Sequence, residues 1–348
     1  MAKKKEESLS SSLTPLEILK RFSKGGGLGE FVPLRPKLST GSVALDLKLG
    51  GGIASDRIVE WFGKTGSFKT TMAMMTLKSH FVQFPLDSRP RVIVDLERTI
   101  TSDFIRGFGI DPDKVWVEKP RTAEETMNFV SDVISSGAAS WVLVDSIDAM
   151  ESEEDTKKDY GESSMMKLAK LLSEAMRDLS KGSVDHNCSL QLINQIRAGS
   201  NGYTMVEVTS GGAAIPYYAS QRIKCKRDSK ATDDHSVGLS VQVVKNKLYP
   251  TVNADSSFSV IPGKGVDVAS DRLSAGLSVG VIKSGGPYYS IMKDGELLEK
   301  FLGADRFSDW LLRDSNLALI DSLIQKVGKE IFYGTSGDEG DSRNYIVE

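Results

Sequence analysis

Residues 58 to 71 read Ile58-Val59-Glu60-Trp61-Phe62-Gly63-Lys64-Thr65-Gly66-Ser67-Phe68-Lys69-Thr70-Thr71. A short apolar run breaks at Gly63 into a loop, and the loop ends in a lysine and two threonines. This is the order expected of a strand feeding a phosphate-binding loop. Such a loop needs small residues, so that successive backbone N–H groups can point at phosphate oxygens. It also needs a Lys to reach the β- and γ-phosphates and a hydroxyl to hold Mg²⁺. Gly63, Gly66, Lys69 and Thr70 supply those parts, with Lys64, Thr65, Ser67 and Thr71 filling the loop and opening the next helix. The usual pattern has Gly directly before the Lys, where this chain has Phe68. An aromatic residue is strained at positive φ, so Phe68 is expected to keep φ negative and turn its ring away from the phosphates.

Outward from this loop, apolar strands alternate with amphipathic helices, the pattern of an α/β protein with a mostly parallel sheet flanked by helices. Strands are predicted over 58–62, 91–96, 141–145, 188–193, 221–226 and 239–247, and helices over 69–84, 102–108, 123–135 and 163–180. In the last helix Met166, Ala169, Leu172, Ala175, Met176 and Leu179 follow helical spacing, which assigns its methionines mainly to the core. From about residue 267 the pieces shorten. Tyr288-Tyr289-Ser290-Ile291 and Asp294-Gly295 suggest a hairpin, and helices over 305–312 and 316–332 close a small α+β domain.

At the other end, residues 1–12 consist mostly of Lys, Glu and Ser and read as a disordered leader. A helix then starts sharply. Thr14 can cap it, Pro15 suits its first position, Glu17 completes a capping box, and Leu13 with Ile18 can form a hydrophobic staple. Lys24-Gly25-Gly26-Gly27-Leu28-Gly29 detaches this arm, leaving a partner subunit or the main domain as its packing surface. The organisation is therefore an arm over 1–30, a core over 31–266, a small domain over 267–334 and a mobile tail over 335–348.

Two carboxylates stand at strand ends. Val142-Leu143-Val144-Asp145 delivers Asp145 where nucleoside triphosphatases place the acid of the Mg²⁺ shell; an Asp there can also be a helix cap. Val92-Ile93-Val94-Asp95-Leu96-Glu97 delivers Glu97 to the carboxyl edge of a neighbouring strand, where ligands of open α/β sheets bind. Glu97 suits a general base or water orienter, with a solvated loop glutamate as the bland alternative.

Composition narrows the classes further. No apolar run approaches the roughly 20 residues that span a bilayer, and the start lacks a signal peptide's apolar stretch, so a cytoplasmic setting with no membrane is expected. Cys188 and Cys225 fall in predicted strands and read as buried thiols. His80, His186 and His235 lack metal-like spacing. A net charge of −3 argues against coating nucleic acid by bulk positive charge, leaving local patches to carry any such binding.

A resemblance now becomes specific. Leu38-Ser39-Thr40-Gly41-Ser42-Val43-Ala44-Leu45-Asp46, Leu192-Ile193-Asn194-Gln195-Ile196-Arg197 and Val243-Val244-Lys245-Asn246-Lys247 together resemble the RecA recombinase family over roughly 31–265. The Ser67-Phe68-Lys69-Thr70 variant is similar to the loop of T4-type phage recombinases. The hairpin followed by Phe307-Ser308-Asp309-Trp310-Leu311 is more similar to bacterial RecA. The family implies a RecA-type ATPase core, ATP with Mg²⁺ on Thr70 and Asp145, and a polymerisation role for the amino-terminal helix. It makes Glu97 the catalytic glutamate, Gln195 the γ-phosphate sensor, Phe104 the adenine-stacking ring, and Lys245 with Lys247 the cations reaching ATP on the next subunit. Thr101 departs from the family's acidic residue.

Two loops are then candidates for DNA. The first lies near Asp159 to Met165, with Lys170 and Arg177 along the following helix. The second runs from Arg197 through Gly199, Ser200, Asn201 and Gly202 to Gly211 and Gly212. It is too polar to fold alone, and reads as a lid or a ligand-ordered element. Arg222, Lys224, Lys226, Arg227 and Lys230 add positive charge, although in a strand these alternate faces. The resemblance implies a DNA-dependent ATPase that forms a helical homo-oligomer on single-stranded DNA, pairs it with duplex and exchanges strands. Its rivals are a RecA-fold helicase or motor, a non-exchanging accessory paralogue, and a small-molecule kinase using the same loop.

Overall fold

The computed structural model describes residues 14–23, 35–151, 165–200, 205–231, 236–251, 254–313 and 315–333. The expected leader, the tail, most of the first DNA loop, and Asn201 with Gly202 lie outside them. The chain divides into two units, Met1–Arg35 and Pro36–Glu348. In chain order the described elements are α1 (Pro15–Phe22), β1 (Lys37–Leu38), α2 (Val43–Lys48), β2 (Ile53–Ala54), β3 (Ile58–Gly63), α3 (Lys69–Gln83), β4 (Arg91–Asp95), α4 (Ser102–Gly107), β5 (Val115–Glu118), α5 (Ala123–Ser135), β6 (Trp141–Asp145), α6 (Met165–Asp185), β7 (Ser189–Ser200), β8 (Met205–Thr209), α7 (Ala214–Tyr218), β9 (Gln221–Ala231), β10 (Val237–Asn246), β11 (Ala254–Ile261), β12 (Gly265–Val266), α8 (Val268–Val279), β13 (Ile282–Gly285), β14 (Tyr288–Lys293), β15 (Glu296–Leu302), α9 (Ala304–Leu311) and α10 (Asn316–Tyr333).

In the first unit, α1 carries the expected capping box. The Thr14 hydroxyl accepts from the Glu17 amide, and the Glu17 carboxylate accepts from the Thr14 amide at 2.7 Å.

In the second unit, the main sheet runs β12-β11-β10-β9-β3-β7-β6-β4-β5, with β8 pairing off β7. From β9 to β5 every neighbouring pair is parallel, and β10 to β12 extend the sheet antiparallel. Successive side chains of a strand face opposite ways, so each parallel strand feeds two cores. Trp61, Ile93, Leu143 and Ile193 join Met72, Met74 and Leu77 of α3. Val94, Val144 and Leu192 join Met127 and Val130 of α5 and Leu172 and Met176 of α6. Strands buried on both faces have to read as continuous apolar runs, which is how the sequence shows them.

Elements that the periodicity did not reveal are short or internally polar. β5 has four residues and exposes Trp116. α8 buries Asp271 and Arg272 among its apolar positions. The second DNA loop, expected to be unfolded alone, instead continues β7 to Ser200 and returns as β8, with Ile196 opposite Thr209 and Ser200 opposite Met205. Backbone pairing satisfies the N–H and C=O groups that a polar loop cannot bury.

The C-terminal part is a three-stranded antiparallel meander, β13-β14-β15, beside α9 and α10. Asp294 and Gly295 form the expected two-residue turn with φ of 50° and 87°, the doubly positive geometry that matches strand twist. Helix α8 fastens this part to the core. The buried Asp271 carboxylate accepts from the Val43 and Ala44 amides at the start of α2, and Arg272 bonds both Asp271 and Asp321 of α10. Removing Arg272 would leave the Asp271 charge buried and uncompensated. Arg272→Ala should therefore cost about 3–5 kcal/mol in urea unfolding, and Asp321→Asn less. An Arg272→Ala loss below about 1 kcal/mol, within the ordinary surface range, would reject the clamp.

Candidate nucleotide site and its link to a hairpin

Parallel register brings the functional groups to one edge. Gly63 lies opposite both Gln195 and Cys225, and Asp95 opposite Asp145. The loop from Gly63 to Thr71, Glu97, Asp145 and Gln195 therefore meet where β3, β4 and β6 end and β7 leaves the main sheet. Gly63 is required by close approach, because a Cβ there would run into the Cys225 carbonyl oxygen and the Ser67 hydroxyl.

Lys64, Thr65 and Gly66 are exposed, whereas Ser67, Lys69 and Thr71 are buried. The Lys69 ammonium donates to the Gly63 and Lys64 carbonyls at 3.2 and 2.9 Å, folded back on its own loop. Burial pulls its pKa down, and Asp145 and Glu97 are among the groups opposing that shift. The Ser67 hydroxyl is buried without a hydrogen-bond partner among the described residues. An orphaned hydroxyl and a lysine resting on carbonyls fit a loop built to receive phosphate oxygens. The Thr70 hydroxyl donates to Asp145 at 2.7 Å, a hydroxyl and a carboxylate of the hard-oxygen type that Mg²⁺ takes. Burial raises the Asp145 pKa to about 7, with Glu97 and Asp95 adding to the shift and Thr70 opposing it.

Phe68 overturns the expected negative φ. Its φ is 61° and ψ 24°, left-handed, at the position before α3. The loop must reverse there to start the helix, and the usual glycine makes that conformation cheap; here an aromatic residue holds it at a cost of order 1–3 kcal/mol. The ring packs on the core cluster, under the Arg227 guanidinium at 5.6 Å.

Glu97 stands on a turn wrapped around buried Asp95, whose carboxylate accepts from the Thr99 and Ile100 amides at 3.2 and 3.0 Å. Glu97 accepts from the Ser146 hydroxyl at 2.7 Å and, more loosely, from the Gln195 amide at 3.5 Å. The Gln195 carbonyl oxygen accepts from the Thr65 hydroxyl at 3.0 Å. A chain of contacts thus runs from the phosphate loop through Gln195 to Glu97. Asn194, next in line, bonds Glu60, the Gln195 amide and both the amide and carbonyl of Ser210, so it pins the two roots of the β7-β8 hairpin together. Sequence reading missed Asn194, Ser146, Asp148 and Glu60 as working parts. Each sits inside or beside a motif already quoted, but its partner lies far along the chain.

The remaining candidates disperse. Arg197 is exposed and paired with Asp148, which also accepts from Ser210. Gly199 and Ser200 lie in β7, and Gly211 and Gly212 turn beside Ala169 and Leu172 of α6. Met165 opens α6, and Lys170 is exposed on it. Arg177 instead lines a groove between α5 and α6, paired with Asp178. Phe104 packs edge-on against Phe108 at 5.1 Å, and Thr101 caps α4 through the Phe104 amide. Lys245 and Lys247 reach carbonyls at the end of α7: Lys245 bonds Pro216 and Tyr217 at 2.6 and 2.9 Å, and Lys247 bonds Tyr217 at 3.3 Å. Burial first, then Lys247 and Arg222, lowers the Lys245 pKa to about 8.

A family model described as the RecA N-terminal domain matches residues 16–267. Protein RecA of Paracoccus denitrificans is 32% identical over 295 residues, covering 82% of this chain and 81% of the relative. Protein RecA of Chloroherpeton thalassium is 29% identical over 98% of this chain and 96% of the relative. A solved structure titled as the RadB recombinase aligns with a TM-score of 0.50 at 20% identity, over 66% of this chain and 98% of that one, a likeness of fold. With its phosphate loop, strand-end carboxylates and parallel sheet, this chain belongs to the RecA family.

Proposed function

We propose that the chain is a DNA-dependent ATPase acting as a recombinase: it assembles as a filament on single-stranded DNA, pairs that strand with homologous duplex and exchanges strands. The observation that carries this reading is the Thr65-Gln195-Glu97 chain, because Gln195 stands where β7 leaves the sheet and becomes the hairpin. A group that touches the phosphate loop and begins the candidate DNA element can report one ligand to the other.

In this reading Lys69 leaves the Gly63 and Lys64 carbonyls for the β- and γ-phosphates of ATP. Thr70 and Asp145 hold Mg²⁺, which would neutralise phosphate charge. Glu97 orients the attacking water, with Ser146 and Gln195 fixing its carboxylate. Lys245 and Lys247 leave the end of α7 to meet ATP on a neighbouring subunit, which ties turnover to assembly. Arg197, Lys170 and the hairpin backbone contact DNA phosphates, and such binding weakens with salt. Arg177 lines a separate groove between α5 and α6. The phage lineage rests on the Ser67-Phe68-Lys69-Thr70 variant.

ATP hydrolysis measured with and without homopolymer single-stranded DNA, alongside electron microscopy, tests the proposal. DNA should stimulate turnover and filaments should form with a non-hydrolysable nucleotide; unchanged turnover without filaments would sink it. Lys69→Ala should abolish ATP-dependent filaments. Lys245→Ala should keep nucleotide affinity while lowering DNA-stimulated turnover by on the order of a thousandfold, the scale of a cation supplied in trans. Equal loss of affinity and turnover would contradict the trans role.

Asp145 adds a pH dependence. Its raised pKa keeps it protonated below about pH 7, so Mg²⁺ must displace a proton there. Apparent Mg²⁺ affinity in the presence of nucleotide should fall about tenfold per pH unit below that value and level off above it. Asp145→Asn should weaken binding and remove the slope; a wild-type profile flat from roughly pH 5.5 to 8 would count against the assignment.

A further inference from the structure

We propose that Arg227 is a positioning residue for the phosphate loop, holding Phe68 in its left-handed conformation by lying over the Phe68 ring. The inference rests on the nucleotide-binding reading and concerns a part of the site that loops with glycine before the lysine do not need.

Strand β9 approaches the loop at two points, one through its backbone and one through a side chain. At Cys225 its carbonyl closes on Gly63, leaving no room for a side chain at the loop's root. Two residues on, with its side chain on the same face as that of Cys225 by strand alternation, Arg227 places its guanidinium 5.6 Å from the Phe68 ring. Arg227 is exposed, and no acidic partner for it is found among the described residues. The ring also packs against the core cluster. A residue at φ 61° persists only where its surroundings over-determine it, and here the ring packs on the core cluster and has the Arg227 guanidinium over it. The amide of Met72 bonds the Phe68 carbonyl at 3.0 Å, so the same residue begins α3 and sets where Lys69 and Thr70 project. If the left-handed state is only partly populated, apparent nucleotide affinity falls by that fraction.

The test is a cycle of variants in the full-length protein, read as Mg-ADP affinity by calorimetry and as thermal unfolding. Arg227→Ala should weaken Mg-ADP about two- to fivefold, the range of an exposed cation–ring contact, and Arg227→Lys less, with thermal unfolding little changed. Phe68→Ala should weaken binding more than Phe68→Gly, because glycine adopts the left-handed state freely. In the Phe68→Gly background, Arg227→Ala should have no further effect. Equal weakening in both backgrounds would mean that Arg227 acts through its charge on the nucleotide, and would overturn the proposal. No weakening in the wild-type background would also overturn it. Failure of the wild-type protein to bind Mg-ADP would refute the nucleotide-binding reading itself, and this inference with it.

Discussion

The parallel ladder through β9, β3, β7, β6, β4 and β5 sets what every functional residue can touch. Hydrogen bonding fixes register, and register places Gly63 beside Gln195 and Asp95 beside Asp145 at one edge of the sheet. A slip of one residue would turn Trp61, Leu143 and Ile193 into the opposite core and carry Asp145 off the edge. The cores on the two faces thus hold the site in place without contributing a group to it. Neighbouring strands supply a phosphate loop, a carboxylate beside its threonine, and an amide that contacts both the loop and Glu97.

Burial at that edge has electrostatic consequences. Asp145 is nearly enclosed, with Glu97 and Asp95 close by and the Thr70 hydroxyl as its bonded partner, and its proton affinity rises accordingly. Lys69 shifts the opposite way, toward its neutral form, for the same reason. In the proposed site a divalent cation would answer Asp145 and a polyphosphate would answer Lys69. Contrast the Asp271 and Arg272 clamp, where carboxylate and guanidinium already answer one another and the result is attachment of α8 and α10 to the core.

Much of this was legible along the chain. Val142 to Asp145 and Val92 to Asp95 read as buried strands because both faces of a parallel strand are covered and every residue must be apolar until the edge. The amino-terminal capping box was legible because its partners are three residues apart, and the Asp294-Gly295 turn because two consecutive positive φ values suit few other residues. The hairpin formed by β7 and β8 was not, since its stability comes from backbone pairing and from Asn194 joining Gln195 to Ser210, none of which leaves a periodic signal. Phe68 was misread for a related reason. Local sterics favour negative φ for an aromatic residue, and they lose to the path of the chain between Gly63 and α3, which packing around the ring then supports.

The order of residues alone determined the alternating α/β class, the phosphate loop and the carboxylates at strand ends, because each depends on neighbours within a few positions. Tertiary structure alone decided that Gln195 touches Thr65 and Glu97, that Lys245 and Lys247 rest on the end of α7, and that Arg177 lies away from the hairpin. Those contacts join residues tens of positions apart or more. Only register and packing determine which distant side chains share an edge.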